Sequence, residues 1–440
     1  MAVNERKIAL KVLEEVESGS YLNLVLKREL SGIDEREKRF ISALCFSLIE
    51  NKIRIDYVIA QFTKGKRLHS KIKNILRLGV CQILFFDSVP DSAAVNECVK
   101  LAESSPKRQL KGFVNAVLRQ IARDKDNIVY PDRNEDFSQY LSVMYSYPKW
   151  ICDKYIQEYG SKFAEQLISY KKPEAETCVR NNGLKVDVEK LKRKLVGAAF
   201  KISPGRYMDN AVYIQNITAV DELGMYQRGE LTVQQEASML VVKCADIEKG
   251  MKVIDVCAAP GGKSAFAAEF QPSRLVALEL HEHRAQIMKK NFERLGITAE
   301  ISVGDARVPR PEFYGKFDRV LVDAPCSALG LLYRKPDIKM SKNADELSSL
   351  AKIDAEILQT ASRYVAPGGR IVYSTCTIDR LENDCVVDDF LRGNASFREK
   401  QISQFLPEGL CNKAQNGRIQ LFPCRDGIDG FFISVLERVK

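Results

Sequence analysis

Between residues 5 and 123 the apolar positions recur three and four apart. Ile8, Ala9, Val12, Leu13 and Val16 form one such set, Phe40, Leu44, Ser47 and Leu48 a second, and Ile72, Ile75, Leu76 and Val80 a third. That spacing lines one face of an α-helix. Turn residues interrupt it at Ser18-Gly19-Ser20, Ser31-Gly32, Lys64-Gly65 and Val89-Pro90. The pattern predicts an all-α bundle over residues 1–124. The polar stretch "RDKDNIVYPDRNED" reads as a linker, and "YPKWICDKYIQEYGSKFAEQLISY" (Tyr147 to Tyr170) returns to helix. Residues 175–225 mix the short strands "TCVRNN" and "AVYIQN" with a helix at "DVEKLKRKLVGAAF", so 125–225 is expected to end in a small α+β module.

From residue 226 the rhythm alternates. "KVIDVCA", "LVALEL", "EISVGDA", "FDRVLVDAP", "RIVYSTCT" and "FFISVLERV" are apolar strand candidates, mostly separated by helical stretches such as "GKSAFAAEF", "EHRAQIMKKNFERLG" and "ADELSSLAKIDAEILQTASRYV". Near-continuous apolar strands alternating with helices predict a parallel, doubly wound α/β sheet over 226–440, covered on both faces. Such sheets bind ligands at the carboxyl ends of their strands.

The chain carries a formal net charge of +9, and residues 1–124 hold 22 Lys+Arg against 15 Asp+Glu, a difference of +7. "KGKRLHSKIKNILR" (Lys64 to Arg77) and "KRQLKGFVNAVLR" (Lys107 to Arg119) contain no acid. Either is a solvated helix face or a polyanion-binding surface. The twelve cysteines show no Cys-x-x-Cys pairing and the three histidines are remote from them, which argues against a metal site or a disulfide framework. A reducing cytoplasm is the expected compartment. No apolar run approaches a membrane span, and monomer is the default expectation.

"VIDVCAAPGGKSA" (Val253 to Ala265) ends like a phosphate-binding P-loop, but that loop needs glycine at position 257, which is cysteine. A nucleotide hydrolase is therefore disfavoured. Glu279 follows the second strand, 24 residues beyond Asp255, where an acid accepts hydrogen bonds from ribose hydroxyls and repels phosphate. Without Gly-x-Gly-x-x-Gly there is no dinucleotide signature, and adenosyl without pyrophosphate points to S-adenosylmethionine. Asp305, in "VGDAR", is placed to meet the adenine amino group. The fourth and fifth strands end in "DAPCSALG" and "YSTCTI", each putting a cysteine, Cys326 or Cys376, just past a strand. Carbon 5 of a pyrimidine attacks a sulfonium methyl only after a thiolate has added to carbon 6. The adduct then needs a second group as base. Asp323 can hold the exocyclic amine and nitrogen 3, and Lys263 can orient Asp323 or lower the thiol pKa. The residues alone leave open which thiol attacks.

"DVCAAPGGK", "DAPCSALG", "YSTCT", "DGIDGFFIS", "LTVQQEASML" and "YRKPDIK" together resemble the RNA cytosine-5 methyltransferases, in the RsmB (Sun/Fmu) type that acts on 16S rRNA. The helical N-terminus resembles NusB-like RNA-binding domains. The resemblance implies S-adenosylmethionine contacts at Cys257, Ala258, Ala259, Pro260, Gly261, Gly262, Lys263, Glu279, Asp305 and Asp323. It makes Cys376 the nucleophile and Cys326 the group assisting release. It implies small-subunit rRNA, naked or partly assembled, as partner, with no membrane or metal. Arg180, in the middle module, is expected to contact RNA phosphate or to form a surface salt bridge. Ala328 stands where the family has glycine, Met340 where tryptophan is common, and Asp384 where glutamate is frequent. The competing reading is an RNA-binding adaptor whose methyltransferase domain is silent.

Overall fold

The computed structural model describes residues 4–171, 176–217 and 219–439. The chain divides into two compact units, one of residues 1–170 with Arg334–Lys342, the other of Lys171–Tyr333 with Asn343–Lys440.

The first unit is helical: Glu5–Glu17, Leu22–Glu29, Glu35–Glu50, Lys52–Thr63, Ser70–Phe85, Asp91–Glu103 and Lys111–Asp124, followed by Phe137–Tyr145, Lys149–Tyr159 and Ser161–Ser169. The helix breaks fall at the turn residues. Asn4 and Asp34 accept hydrogen bonds from first-turn amides of the helices they precede, satisfying donors that have no partner within a helix. Ser70–Phe85 is central and buries Ile72, Ile75, Leu76, Leu78 and Val80. Two features differ from expectation. Phe137–Tyr145, capped by Asp136 at the end of the expected linker, is a helix in a stretch to which no element was assigned, and Gly160 splits the stretch after Tyr147 into two helices. Segment 334–342 is held here by Leu22 N–H donating to Asp337 Oδ2 (3.3 Å) and by the Lys339 ammonium 3.9 Å from the Tyr147 ring centre.

The acid-free run Lys64–Arg77 does not act as one surface. Arg77 is buried and forks onto Asp56 (2.6 Å to each oxygen) with a further bond to Glu17, Lys73 pairs with Asp56 at 3.0 Å and Lys71 with Glu14 at 3.4 Å. These acids lie on other helices, which is why a count along the run misses them. Lys64, Lys66 and Arg67, in the loop before Ser70, stay exposed.

The second unit holds two sheets. Strands β1 (Glu176–Asn181), β2 (Ile202–Pro204), β3 (Ala211–Gln215) and β4 (Leu231–Val233) form an antiparallel sheet in the order β2-β3-β1-β4, with helix Val188–Gly197 among its connections. The larger sheet comprises β5 (Lys252–Asp255), β6 (Arg274–Glu279), β7 (Glu300–Val303), β8 (Phe317–Asp323), β9 (Val365–Thr375), β10 (Phe397–Glu399), β11 (Arg418–Leu421) and β12 (Phe431–Arg438). Its order is β10-β12-β9-β8-β5-β6-β7, with β11 paired to β12. Strands β5 to β9 are mutually parallel. The last strand, expected to be parallel, is not: β12 pairs antiparallel with β9, and antiparallel also with β10 and β11. That reversal brings "DGIDG" to the edge where β8 and β9 end. Helices Gly262–Ala268, Glu282–Leu295, Ala344–Ser362 and Asp384–Gly393 connect the strands, and the sheet core includes Ile254, Val276, Val320, Val322, Ile371, Tyr373 and Phe432.

Arg180 corrects the sequence reading. It is 1% exposed on β1, an inner strand, and is ion-paired with Glu269, bonded to Gln234 Oε1 at 2.7 Å and set 4.7 Å over the Phe266 ring. Alternation along β1 points it toward helix Gly262–Ala268, so it ties the small sheet to the larger one and offers nothing to phosphate.

Candidate active site

Five parallel strands deliver their chemistry to one edge. Asp255 ends β5, Glu279 ends β6, Asp305 follows β7, Asp323 ends β8, and Cys376 follows β9. Residue Asp323 pairs with Ser374 across β8 and β9, so Cys326 and Cys376 lie three and two residues beyond a matched register. Their sulfurs are 3.2 Å apart, and Cys376 N–H points at Cys326 Sγ at 3.3 Å. The neighbouring Cys376 thiol, and then burial, hold Cys326 well above the ordinary thiol range.

Glycines make this convergence possible. Gly330 N–H donates to Cys376 O, and Gly430 N–H donates to Gly330 O, each at 3.1 Å. A methyl on Gly330 would lie 2.1 Å from Gly430 O, so only glycine lets the three loops meet. Ala328 occupies a left-handed turn (φ 58°, ψ 27°), a conformation that costs an alanine about 1 kcal/mol and explains a glycine preference there.

Lys263 Nζ donates to Asp323 Oδ2 at 2.6 Å and Ser374 Oγ donates to Oδ1 at 3.0 Å, which orients the Asp323 carboxylate beside the thiols. That bond is the geometry the orienting option for Lys263 calls for. Below it Ser264 donates to the buried Asp255 at 2.6 Å, and burial pushes the Asp255 carboxyl up to about 6. The turn Cys257–Gly261 joins β5 to helix Gly262–Ala268; Gly261 has φ 98°, and a Cβ there would meet Phe292 at 2.7 Å. Burial, then Asp255, raises the Cys257 thiol strongly, leaving it neutral.

Glu279 is buried. Its Oε1 accepts from His281 N–H (3.0 Å) and Arg284 (3.3 Å), while Oε2 takes no bond among the described residues. An acceptor so placed suits vicinal hydroxyls. Asp305 differs: Arg307 forks onto both of its oxygens, at 3.1 and 2.6 Å, and holds its carboxyl below the usual range. A cavity of about 450 Å³ lined by Val242, Lys243, Phe266, Phe270 and Phe405 contains none of these residues. Among the described residues no group of three His, Cys, Asp or Glu is placed to hold a metal, and no helix is long and apolar enough to cross a membrane.

The sequence reading missed a polar layer beneath the thiols. Ser327, Thr377, Glu382 and Asp354 are all wholly buried there. Asp354 had a legible signal: on helix Ala344–Ser362 it occupies the same face as the buried Leu347, Ala351, Leu358 and Ala361. Among the described residues its Oδ1 has no partner, Oδ2 lies 3.5 Å from the Tyr373 hydroxyl, and burial followed by Glu382 pushes its carboxyl up to about 9.

This is the fold and strand-end chemistry of a methyltransferase, and the comparisons sharpen the class. Residues 242–437 match the family model "16S rRNA methyltransferase RsmB/F", residues 3–123 the NusB family, and residues 147–221 the RsmF/B-like ferredoxin-like domain. The chain belongs to the RsmB/F family of 16S rRNA methyltransferases. A probable ribosomal RNA small subunit methyltransferase B of Bacillus subtilis (strain 168) is 33% identical, over 98% of both chains. Its counterpart in Serratia proteamaculans (strain 568), named ribosomal RNA small subunit methyltransferase B, is 31% identical over 99% of both. The crystal structure of PH0851 aligns over 100% of both chains with a TM-score of 0.84 at 23% identity. NSun6 from Pyrococcus horikoshii with SFG aligns over 67% of this chain and 98% of its own, with a TM-score of 0.58 at 21% identity.

Asp354 generates a pH prediction. The folded state keeps a proton there that the unfolded chain releases above about pH 4, so this group's contribution to stability falls as pH rises from about 4 to about 9. Asp354→Asn, which mimics the neutral acid, should stabilise the protein more at pH 8 than at pH 5, by at most about 1.4 kcal/mol per pH unit. Denaturant unfolding at both pH values measures it; an equal effect at both would mean the native carboxyl is ionised.

Proposed function

We propose that the protein methylates carbon 5 of a cytosine in small-subunit rRNA, using S-adenosylmethionine and a covalent cysteine adduct at carbon 6. The observation that carries this is the pair of sulfurs 3.2 Å apart at the ends of adjacent parallel strands, beside the Lys263–Asp323 pair. The donor's fit rests on the strand-end carboxylates, above all Glu279 with its unused Oε2, on the turn Cys257–Lys263, and on Asp305 and Asp323; the structural neighbour solved with SFG, an S-adenosylmethionine analogue, has the same fold. When bound, S-adenosylmethionine supplies an electrophilic methyl group.

The chain's own residues do the rest. Cys376, as thiolate, adds to carbon 6, and the displaced electron pair makes carbon 5 nucleophilic. Asp323, steadied by Lys263 and Ser374, accepts from the exocyclic amine and holds nitrogen 3. Once Cys376 is bonded to carbon 6, the neighbouring thiol that raised Cys326 most is gone; Cys326, having given its own proton to solvent, takes the carbon-5 proton as thiolate after methyl transfer. The C–H electron pair restores the C5–C6 double bond, and the C6–S bond breaks with its pair staying on Cys376. Two such thiols stay reduced only in a reducing compartment, so the cytoplasm is the proposed location. A base inside a duplex cannot present carbon 6, so the substrate cytosine is in a loop or extruded. Along the chain we propose residues 1–124 as the RNA-binding part, 125–225 as the substrate-side extension, and 226–440 as donor and chemistry.

Cys376→Ala should abolish turnover and covalent attachment to RNA. Cys326→Ala should form the adduct without resolving it, so that RNA-linked protein accumulates on a denaturing gel. A denaturant-resistant complex with Cys376→Ala would reverse the assignment, and wild-type protein that transfers no labelled methyl to undermethylated small-subunit rRNA would favour the silent adaptor. Replacing Lys64, Lys66 and Arg67 together with alanine should lower the salt slope of RNA affinity by about 2 to 3. An unchanged slope would remove this loop from the RNA-binding surface.

A further inference from the structure

Ser327 and Thr377 immediately follow the two thiols, and their hydroxyl oxygens are 2.8 Å apart. Glu382, 0% exposed, lies against them. Its Oε2 accepts Ser327 N–H at 2.7 Å, and its Oε1 accepts the Ser327 hydroxyl at 2.5 Å. Two bonds from one carboxylate to the backbone and side chain of one residue fix that residue's position and its orientation. Glu382 is itself secured from behind. The Tyr373 hydroxyl donates to Glu382 O at 2.5 Å. Next along, Asn383 accepts the Thr375 hydroxyl at 2.6 Å and donates to Thr377 O at 3.2 Å. The strand and loop that carry Cys376 therefore also carry the carboxylate that grips the residue after Cys326.

This grip is costly to build. A carboxylate out of water loses much of its hydration, and bonds of this kind offset that loss only when they are short and well aimed. Simple closure of a loop does not require it. What the arrangement adds is a tie between the two loops that carry the sulfurs.

We propose that Glu382 is a positioning residue for the transfer reaction, holding Cys326 within reach of the carbon-6 adduct on Cys376 so that the adduct resolves. The inference rests on the thiol roles proposed above. It predicts a defect in release and not in attack, because Cys376 directly follows the sheet-paired Thr375 while the residue after Cys326 is gripped by Glu382.

The test follows RNA-linked protein and methyl transfer in single turnover for wild type, Cys326→Ala, Glu382→Ala, Glu382→Gln and Ser327→Ala. With Glu382→Ala, adduct should form within about threefold of the wild-type rate while release slows about 10- to 100-fold. Glu382→Gln should restore release to within about threefold, since an amide can accept the Ser327 N–H and donate to its hydroxyl. If Glu382→Ala does not fold, Ser327→Ala, which keeps the backbone bond, should show a smaller slowing of release alone. Formation and release falling in equal proportion, unchanged release in Glu382→Ala or Ser327→Ala, or Glu382→Gln failing to rescue would each overturn the inference. Failure of Cys326→Ala to accumulate adduct would instead sink the thiol assignment on which it rests.

Discussion

The register between β8 and β9 is the constraint from which the site follows. Because Asp323 pairs with Ser374 in parallel strands, both chains leave the sheet at one edge and in one direction. Two cysteines fifty residues apart in sequence then meet at 3.2 Å. A slip of one residue would turn one strand's side chains to the opposite face and separate both the sulfurs and the Lys263–Asp323–Ser374 chain. The remaining features serve that junction. Gly330 and Gly430 let a third loop close over it, and the antiparallel β12 is what brings Gly430 there.

The site combines groups of opposite electrostatic character at short range. Asp323 is partly exposed and paired with a lysine. Asp354, buried without a cation, stays protonated instead. Glu382 receives two donors from Ser327 and stays in place as part of the framework. Three acids within one region thus have three different physical situations, decided by exposure and by donors. Glu279 is a fourth, with one oxygen committed to the protein and the other taking no bond among the described residues.

Charge in the helical unit shows the same dependence on partners. Along the chain Lys64–Arg77 reads as a continuous basic run, yet Lys71, Lys73 and Arg77 are spent on Glu14, Glu17 and Asp56. Arg180 on β1 likewise reads as a candidate for phosphate and is a buried strut on Glu269 and Phe266. Acid-free spacing along a helix reports the sign of its own residues. It is blind to the acids that tertiary packing lays beside them.

By itself the sequence determined the helical periods, the strand–helix alternation, the breaks at Ser18, Ser31, Lys64 and Val89, and the residues that end each parallel strand. Those are local properties: a period of three to four or a run of apolar residues closed by a turn is written in neighbours. Because parallel strands share an edge, it also determined that Asp255, Glu279, Asp323, Cys326 and Cys376 would gather. Tertiary structure alone decided the direction of β12, the burial of Arg180, the engagement of Asp305 by Arg307, and the layer of Ser327, Thr377, Glu382 and Asp354. Each of these depends on which group from a distant part of the chain stands opposite, and no one-dimensional pattern carries that distance.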